Sequence, residues 1–364
     1  MEIMQRHTFE TLLKANLSTA TPIDSPEFLR GRGETLEQMR QALVMVGRHA
    51  FIFGYRGVGK TSLAETTAAV LQSSDANPIR VLCDETTTFG DIALEIFRKA
   101  SGQYSNETRS RKVSGKAEIP HLSAELETQH TLAPLSRPNT VSEAVDAIAR
   151  GVRQHSREPV VVIDEFDTIN NDYERRQITL MLKELSDSRA PIKLILCGVG
   201  DSLDKLLSSH GSAHRYLHTV QLDRLSITPC CDIVNGALSA VGIETDDTTL
   251  YRIARVSDGF PHYVHLQAEK ALWRWFDSGA EGPLLAEHYV KGLEDAVASV
   301  GAELKKPYEK VVKSIARMVN IFCGPFPKTT NYLGECAMFM SNRIYEFALR
   351  SMLSQLAGSS SIPE

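Results

Sequence analysis

Lys60, Thr61, Asp164 and Glu165 are the side chains of this chain whose types can do chemistry together. Lys60 and Thr61 close the run Gly54-Tyr55-Arg56-Gly57-Val58-Gly59-Lys60-Thr61, which reads G-x-x-x-x-G-K-T, the P-loop pattern. In such a loop the ammonium group reaches the β- and γ-phosphates of a nucleotide and the hydroxyl binds Mg2+. Gly54, Gly57 and Gly59 let the backbone turn its N–H groups toward phosphate oxygens, so Gly54 through Ser62 are candidate nucleotide contacts. Asp164 and Glu165 end the apolar run Pro159-Val160-Val161-Val162-Ile163. An acid at the end of a buried strand can orient the hydration shell of Mg2+, and the acid after it can polarise an attacking water. The implied chemistry is hydrolysis of a nucleoside triphosphate, with ATP and Mg2+ as cofactors.

Ala50-Phe51-Ile52-Phe53 is apolar and short, as expected of a buried parallel strand leading into the loop. Ser62–Leu71 has helix formers and apolar spacing, so the loop opens a helix whose N-terminus favours anions. Further strands are expected over residues 78–83, 192–200 and 219–222, with helices over 34–46, 89–100, 141–155 and 173–187. The alternation implies an α/β fold: a parallel P-loop NTPase sheet with helices on both faces and the phosphates at the carboxyl ends of the strands. From Thr228 the pattern turns helical, over residues 231–241, 248–256, 262–276 and 287–300. The expected order is a lead-in over 1–28, the nucleotide-binding domain over 29–227, a helical lid over 228–300 and a C-terminal region over 301–364. Residues 101–139 are polar, carry Pro120, Pro134 and Pro138, and read as a mobile insertion whose Arg109, Arg111, Lys112 and Lys116 offer a basic surface or a solvated loop.

The whole chain excludes several classes. A net charge of −5 over 364 residues gives no global basic signature, so a nucleic-acid contact requires a local patch. Six cysteines without a C-x-x-C spacing fit neither a zinc site nor a secreted disulfide framework, which points to reduced thiols in the cytoplasm. No apolar run is long enough to span a bilayer, and the first residues lack the apolar region of a signal peptide.

Gly31-Arg32, then Gly54–Thr61, then Asp164-Glu165, then Arg215 before a strand, then a helical segment: this order resembles the AAA+ ATPases. The resemblance covers roughly residues 28–276 and is nearest the initiator/origin-recognition-like branch and its STAND-type relatives. It implies an ATP-dependent switch that assembles as a homo-oligomer and acts on DNA or a partner protein. Arg30–Glu34 would match the box at the nucleotide's edge; Arg32 next to a bound adenine and an ordinary capped helix remain alternatives. Arg215 would match an arginine finger reaching a neighbouring subunit's γ-phosphate; the alternative is a surface arginine pairing with Asp223. Gly259-Phe260-Pro261-His262 stands where the family's lid offers an arginine, and it resembles the Gly-x-Pro lid of STAND proteins; His262 substitutes for that arginine or packs the lid. Cys197 is a poor sensor of the γ-phosphate, leaving Asp201 or Ser202 for that role. Leu304–Asn320 fits the first helix of a winged helix. Relatives that regulate transposition form filaments on duplex DNA, and Arg175, Arg176, Lys183 and Arg189 lie where a basic stripe for that task would form. A STAND-like signalling scaffold is the remaining alternative, and Glu165 argues against it being catalytically dead.

Overall fold

The computed structural model describes residues 4–102, 136–200 and 215–299. Most of the expected insertion, the sensor candidates Asp201 and Ser202, and the C-terminal region with its winged-helix candidate lie outside the described residues.

The chain divides into two compact units, one formed by Glu34–Phe53 and Lys60–Gln221, the other by Met1–Gly33, Gly54–Gly59 and the residues from Leu222 onward. The first contains a five-stranded sheet in the order β2-β3-β4-β1-β5. The strands are β1 (His49–Phe53), β2 (Ile79–Leu82), β3 (Val160–Asp164), β4 (Lys193–Gly198) and β5 (Leu217–Gln221), and every pairing is parallel. All five residues of β3 are buried, as a β-branched run covered on both faces must be. The helices of this unit are α2 (Gly33–Val44), α3 (Lys60–Leu71), α4 (Phe89–Ala100), α5 (Val141–His155) and α6 (Asp172–Asp187).

Period-two alternation sorts the strand residues between the two faces. Phe51, Val161, Ile163, Leu194 and Leu196 join one core with Ile92, Ile96, Ile148 and Leu182 of α4, α5 and α6. Helix α3 packs against β1, β3 and β4. Capping boxes start α4, where Thr88 and Asp91 satisfy each other's backbone N–H, and α5, where Thr140 and Glu143 do the same. The register places Phe53 opposite Gly198 and Gln221, and Leu82 opposite Asp164. The carboxyl ends of the strands therefore form one edge, at which β1 hands the chain to the glycine loop.

The second unit is helical. It contains α1 (Arg6–Asn16), α7 (Ile227–Val241), α8 (Asp247–Val256), α9 (Pro261–Asp277) and α10 (Ala286–Ser299). Phe9 of α1 is fully buried and stacks on Phe276, with centroids 4.4 Å apart. Several boundaries differ from expectation, two of them for a reason the structure shows. Helix α7 starts at Ile227 rather than Cys231, because Pro229 falls in the first turn, where a missing N–H costs nothing. Strand β5 starts two residues early, at Leu217, where it pairs with His49.

Each unit buries a histidine in its neutral form. His49 is 1% exposed, its Nδ1 accepts the Leu194 N–H at 3.2 Å, and burial lowers its pKa to about 4. His265 in α9 is lowered to about 4 by burial and by its neighbour His262. An unfolded histidine protonates near pH 6.5, so the unfolded chain takes up these protons first as pH falls. The stabilisation is thus present above about pH 6.5 and is lost down to about pH 4, on the order of 3 kcal/mol per histidine. The thermal midpoint should fall steadily between pH 7 and pH 4.5. His49→Gln, which keeps an acceptor but does not titrate, should flatten that dependence; an unchanged slope would exclude His49 as a source.

Candidate functional site

In the sheet unit the site begins where α3 leaves the glycine loop. Thr61, in the first turn of α3, donates its hydroxyl to Asp164 Oδ2 at 2.9 Å. Asp164 ends β3 and is 4% exposed. Its other oxygen, Oδ1, accepts the Glu165 N–H at 3.0 Å. Glu165 itself is exposed and takes a left-handed backbone with φ 54°. That conformation is rare for a residue with a side chain and clusters at functional sites. It starts a short 3-10 turn, Phe166–Thr168, held by the Thr168 N–H and hydroxyl on the Glu165 carbonyl at 2.9 and 2.7 Å.

Arg80, which the sequence reading passed over, completes this cluster. Its Nη2 lies 3.0 Å from Asp164 Oδ2 and its Nε lies 3.3 Å from Glu65 Oε1. An arginine inside the apolar run Pro78–Cys83 was the available signal. Its partners follow only from strand order, since β2 lies beside β3.

The oxygen pair of Thr61 and Asp164 suits Mg2+, a hard cation that takes oxygen ligands at about 2.0–2.1 Å in an octahedron. Adjacent octahedral ligands at that radius stand about 2.9 Å apart, as these two do. Among the described residues no group of three or more His, Cys, Asp or Glu side chains is placed to hold a metal unaided. Nearby thiols are inert. Burial pushes the Cys197 thiol well up and that of Cys83 to about 12, and Cys197 only donates weakly to the Lys60 carbonyl at 3.8 Å.

In the helical unit the glycine loop meets the segment after β5 and the start of α9. Gly54, Gly57 and Gly59 have φ of 153°, 81° and 94°. A Cβ on Gly54 would approach the Leu222 carbonyl oxygen to 2.3 Å, so this position admits only glycine. A Cβ on Gly57 would lie 3.5 Å from Phe260, and one on Gly59 3.8 Å from Pro261. The Gly259-Phe260-Pro261 turn thus lies directly against the loop, with His262 in the first turn of α9. His262 is exposed, and partial desolvation lowers its pKa. Arg32 Nη2 donates to the Val58 carbonyl at 3.4 Å and to the Asp223 carbonyl, so its guanidinium ties the loop to the segment after β5. Arg224, also unforeseen, pairs with Asp258 at 2.5 Å. Its guanidinium lies over the rings of Phe260 and Tyr55 at 4.8 and 5.6 Å. Tyr55 and Arg56 are exposed and Val58 is buried.

Arg215 is exposed and immediately precedes β5. In a parallel sheet that is the amino-terminal edge, opposite the edge where β1 enters the glycine loop. The proposed basic stripe is reduced: Arg175 is buried and paired with Asp172 at 3.0 Å, while Arg176 and Arg189 are exposed and Lys183 is half-buried. No helix among the described residues is long and apolar enough to cross a membrane.

A family model described as an AAA domain matches residues 45–207. No curated protein matches the chain. Among solved structures, the ORC2 protein of Aeropyrum pernix, in its ADPNP–ADP complexes, is 10% identical; 97% of this chain and 98% of that chain are covered, with a TM-score of 0.55. A RuvB variant of Thermotoga maritima is 18% identical over 84% of this chain and 81% of that one, with a TM-score of 0.50. At such identities the likeness is one of fold. Strand order, glycine loop and family match agree: residues 45–207 match the AAA-domain family, and the chain has a P-loop NTPase-like fold, similar to that of an origin-recognition protein.

Proposed function

We propose that the protein binds and hydrolyses ATP with Mg2+ as an AAA+ molecular switch that assembles in the ATP state and acts on DNA or a partner protein. The observation that carries this reading is the Thr61–Asp164 oxygen pair at 2.9 Å, with Glu165 beside it in a strained backbone. Gly54 through Ser62 present backbone N–H groups to the phosphates, and Lys60 adds a fixed charge. Thr61 and Asp164 would hold Mg2+, which neutralises charge developing on the phosphates. Glu165 accepts a proton from the attacking water. Arg32 braces the loop through Val58, and Phe260 and Pro261 lie against the loop, with His262 following them in the first turn of α9. Arg215 reaches the nucleotide of the next subunit in a homo-oligomer.

Lys60→Ala tests the core of the proposal. It removes a charge-assisted contact, the kind worth about 1.5–3 kcal/mol. ATP affinity measured by calorimetry should drop about 10- to 100-fold. Undiminished ATP binding would sink the assignment. Steady-state ATPase rates with and without duplex DNA then separate the two outputs: stimulation assigns the switch to DNA, and an indifferent rate assigns it to a protein partner.

A further inference from the structure

Arg80 has no part in the motif that defines the site, yet it touches the carboxylates of Asp164 and Glu65. Glu65 stands one helical turn after Thr61 on α3, so both face the same way. Asp164 and Glu65 have side chains only 6% and 17% exposed. Two acids this sheltered need a compensating charge. Arg80 supplies it to both, at 3.0 and 3.3 Å, from an adjacent edge strand. Its own backbone is tethered, because the Lys99 ammonium donates to the Arg80 carbonyl at 2.5 Å and pairs with Glu95 at 2.6 Å.

We propose that Arg80 is a built-in placeholder cation that occupies Asp164 and Glu65 and keeps a divalent metal from settling beside Thr61 unless nucleotide accompanies it. The inference rests on the Mg-ATPase reading above. A guanidinium stays charged at any working pH, so the placeholder's charge does not depend on pH. It repels a bare divalent cation, since like charges at close range in a sheltered site interact strongly. A metal already bound to triphosphate arrives in a complex of net negative charge and meets no such barrier. Without Arg80, the carboxylates of Glu65 and Asp164 and the hydroxyl of Thr61 become a cluster of hard oxygen donors, the kind a divalent cation takes. Arg80 is thus a positioning residue that makes metal entry conditional on nucleotide.

The test is a titration of the full-length, nucleotide-free protein with Mn2+ followed by electron paramagnetic resonance. Wild type should bind Mn2+ weakly. Arg80→Gln should bind it at least tenfold more tightly, and Arg80→Lys, which keeps the charge, should stay near wild type. Arg80→Met keeps the packing of the stem and replaces Arg80→Gln if circular dichroism shows the latter unfolded. A merely structural role for Arg80 predicts weaker or unchanged Mn2+ binding in these variants, and that result overturns the proposal, as does tight Mn2+ binding by wild type. Calorimetry with Mn·ATP on wild type keeps the two readings apart. Failure to bind Mn·ATP rejects the ATPase reading, whereas normal Mn·ATP binding with unchanged Mn2+ affinity in Arg80→Gln rejects the placeholder alone.

Discussion

Glu165→Gln is expected to bind ATP as wild type does while turnover falls about 10²- to 10⁴-fold, the usual contribution of a general base. The expectation rests on how differently the two adjacent acids are engaged. Asp164 is buried and committed: Thr61 and Arg80 share its Oδ2, and the Glu165 N–H occupies Oδ1. Buried and already holding three hydrogen bonds, it is less suited than Glu165 to take a proton from water. Glu165 is exposed, and among the described residues its hydrogen bonds run through its backbone, to Thr168 and Asp164. The amide of glutamine is close in shape to the carboxylate, so the left-handed turn at φ 54° should survive the change. What disappears is basicity. Single-turnover hydrolysis of labelled ATP measures the step directly, and the variant should accumulate in its ATP-bound assembly. Wild-type turnover would show that another group activates the water; Asp167, two residues on, is then the next to be changed.

The parts of this molecule written in local patterns were legible in the sequence. The glycine loop is a contiguous octapeptide, and the strand before Asp164 is an uninterrupted β-branched run, so each announces its own structure. That Thr61 and Asp164 should meet followed from the same two patterns, and their oxygens lie 2.9 Å apart. Arg80 and Arg224 were not legible, because nothing in their own segments names their partners. Arg80 finds Asp164 only because β2 joins the sheet next to β3. Arg224 finds Tyr55, Asp258 and Phe260 only because residues far apart in sequence converge on the glycine loop. Arg175 shows the converse error. Its charge suggested a surface stripe, but the helical period turns it inward with Ile178, Thr179 and Leu182, where, among the described residues, only Asp172 at the helix start forms an ion pair with it. Charge type is a weak guide to exposure when the apolar face of a helix includes the position.

Arg215→Ala is expected to bind ATP normally yet hydrolyse it about 10³- to 10⁵-fold more slowly, the cost of losing an arginine finger in related phosphoryl transfer. The argument is one of distance. Arg215 precedes β5 at the amino-terminal edge of the sheet, and β5 runs parallel to β1 from Leu217 to Gln221. Five residues of strand, at about 3.3 Å each, separate it by roughly 17 Å from the edge where the glycine loop begins. An arginine side chain does not span that gap to the edge where the loop begins, so the expected role of Arg215 is toward another subunit. It is exposed, and among the described residues it forms no ion pair; a planar guanidinium suits the proposed task of bridging two phosphate oxygens of another subunit. A role in trans makes a demand that a role in cis does not. Mixing Arg215→Ala with Lys60→Ala should restore part of the activity, because some interfaces then set an intact Arg215 against an intact loop. The rate plotted against mixing ratio should pass through a maximum between two inactive ends, with light scattering reporting assembly in parallel. Full activity of Arg215→Ala alone, or a flat mixing curve with assembly intact, would remove Arg215 from the reaction and with it the main reason to expect catalysis at a subunit interface.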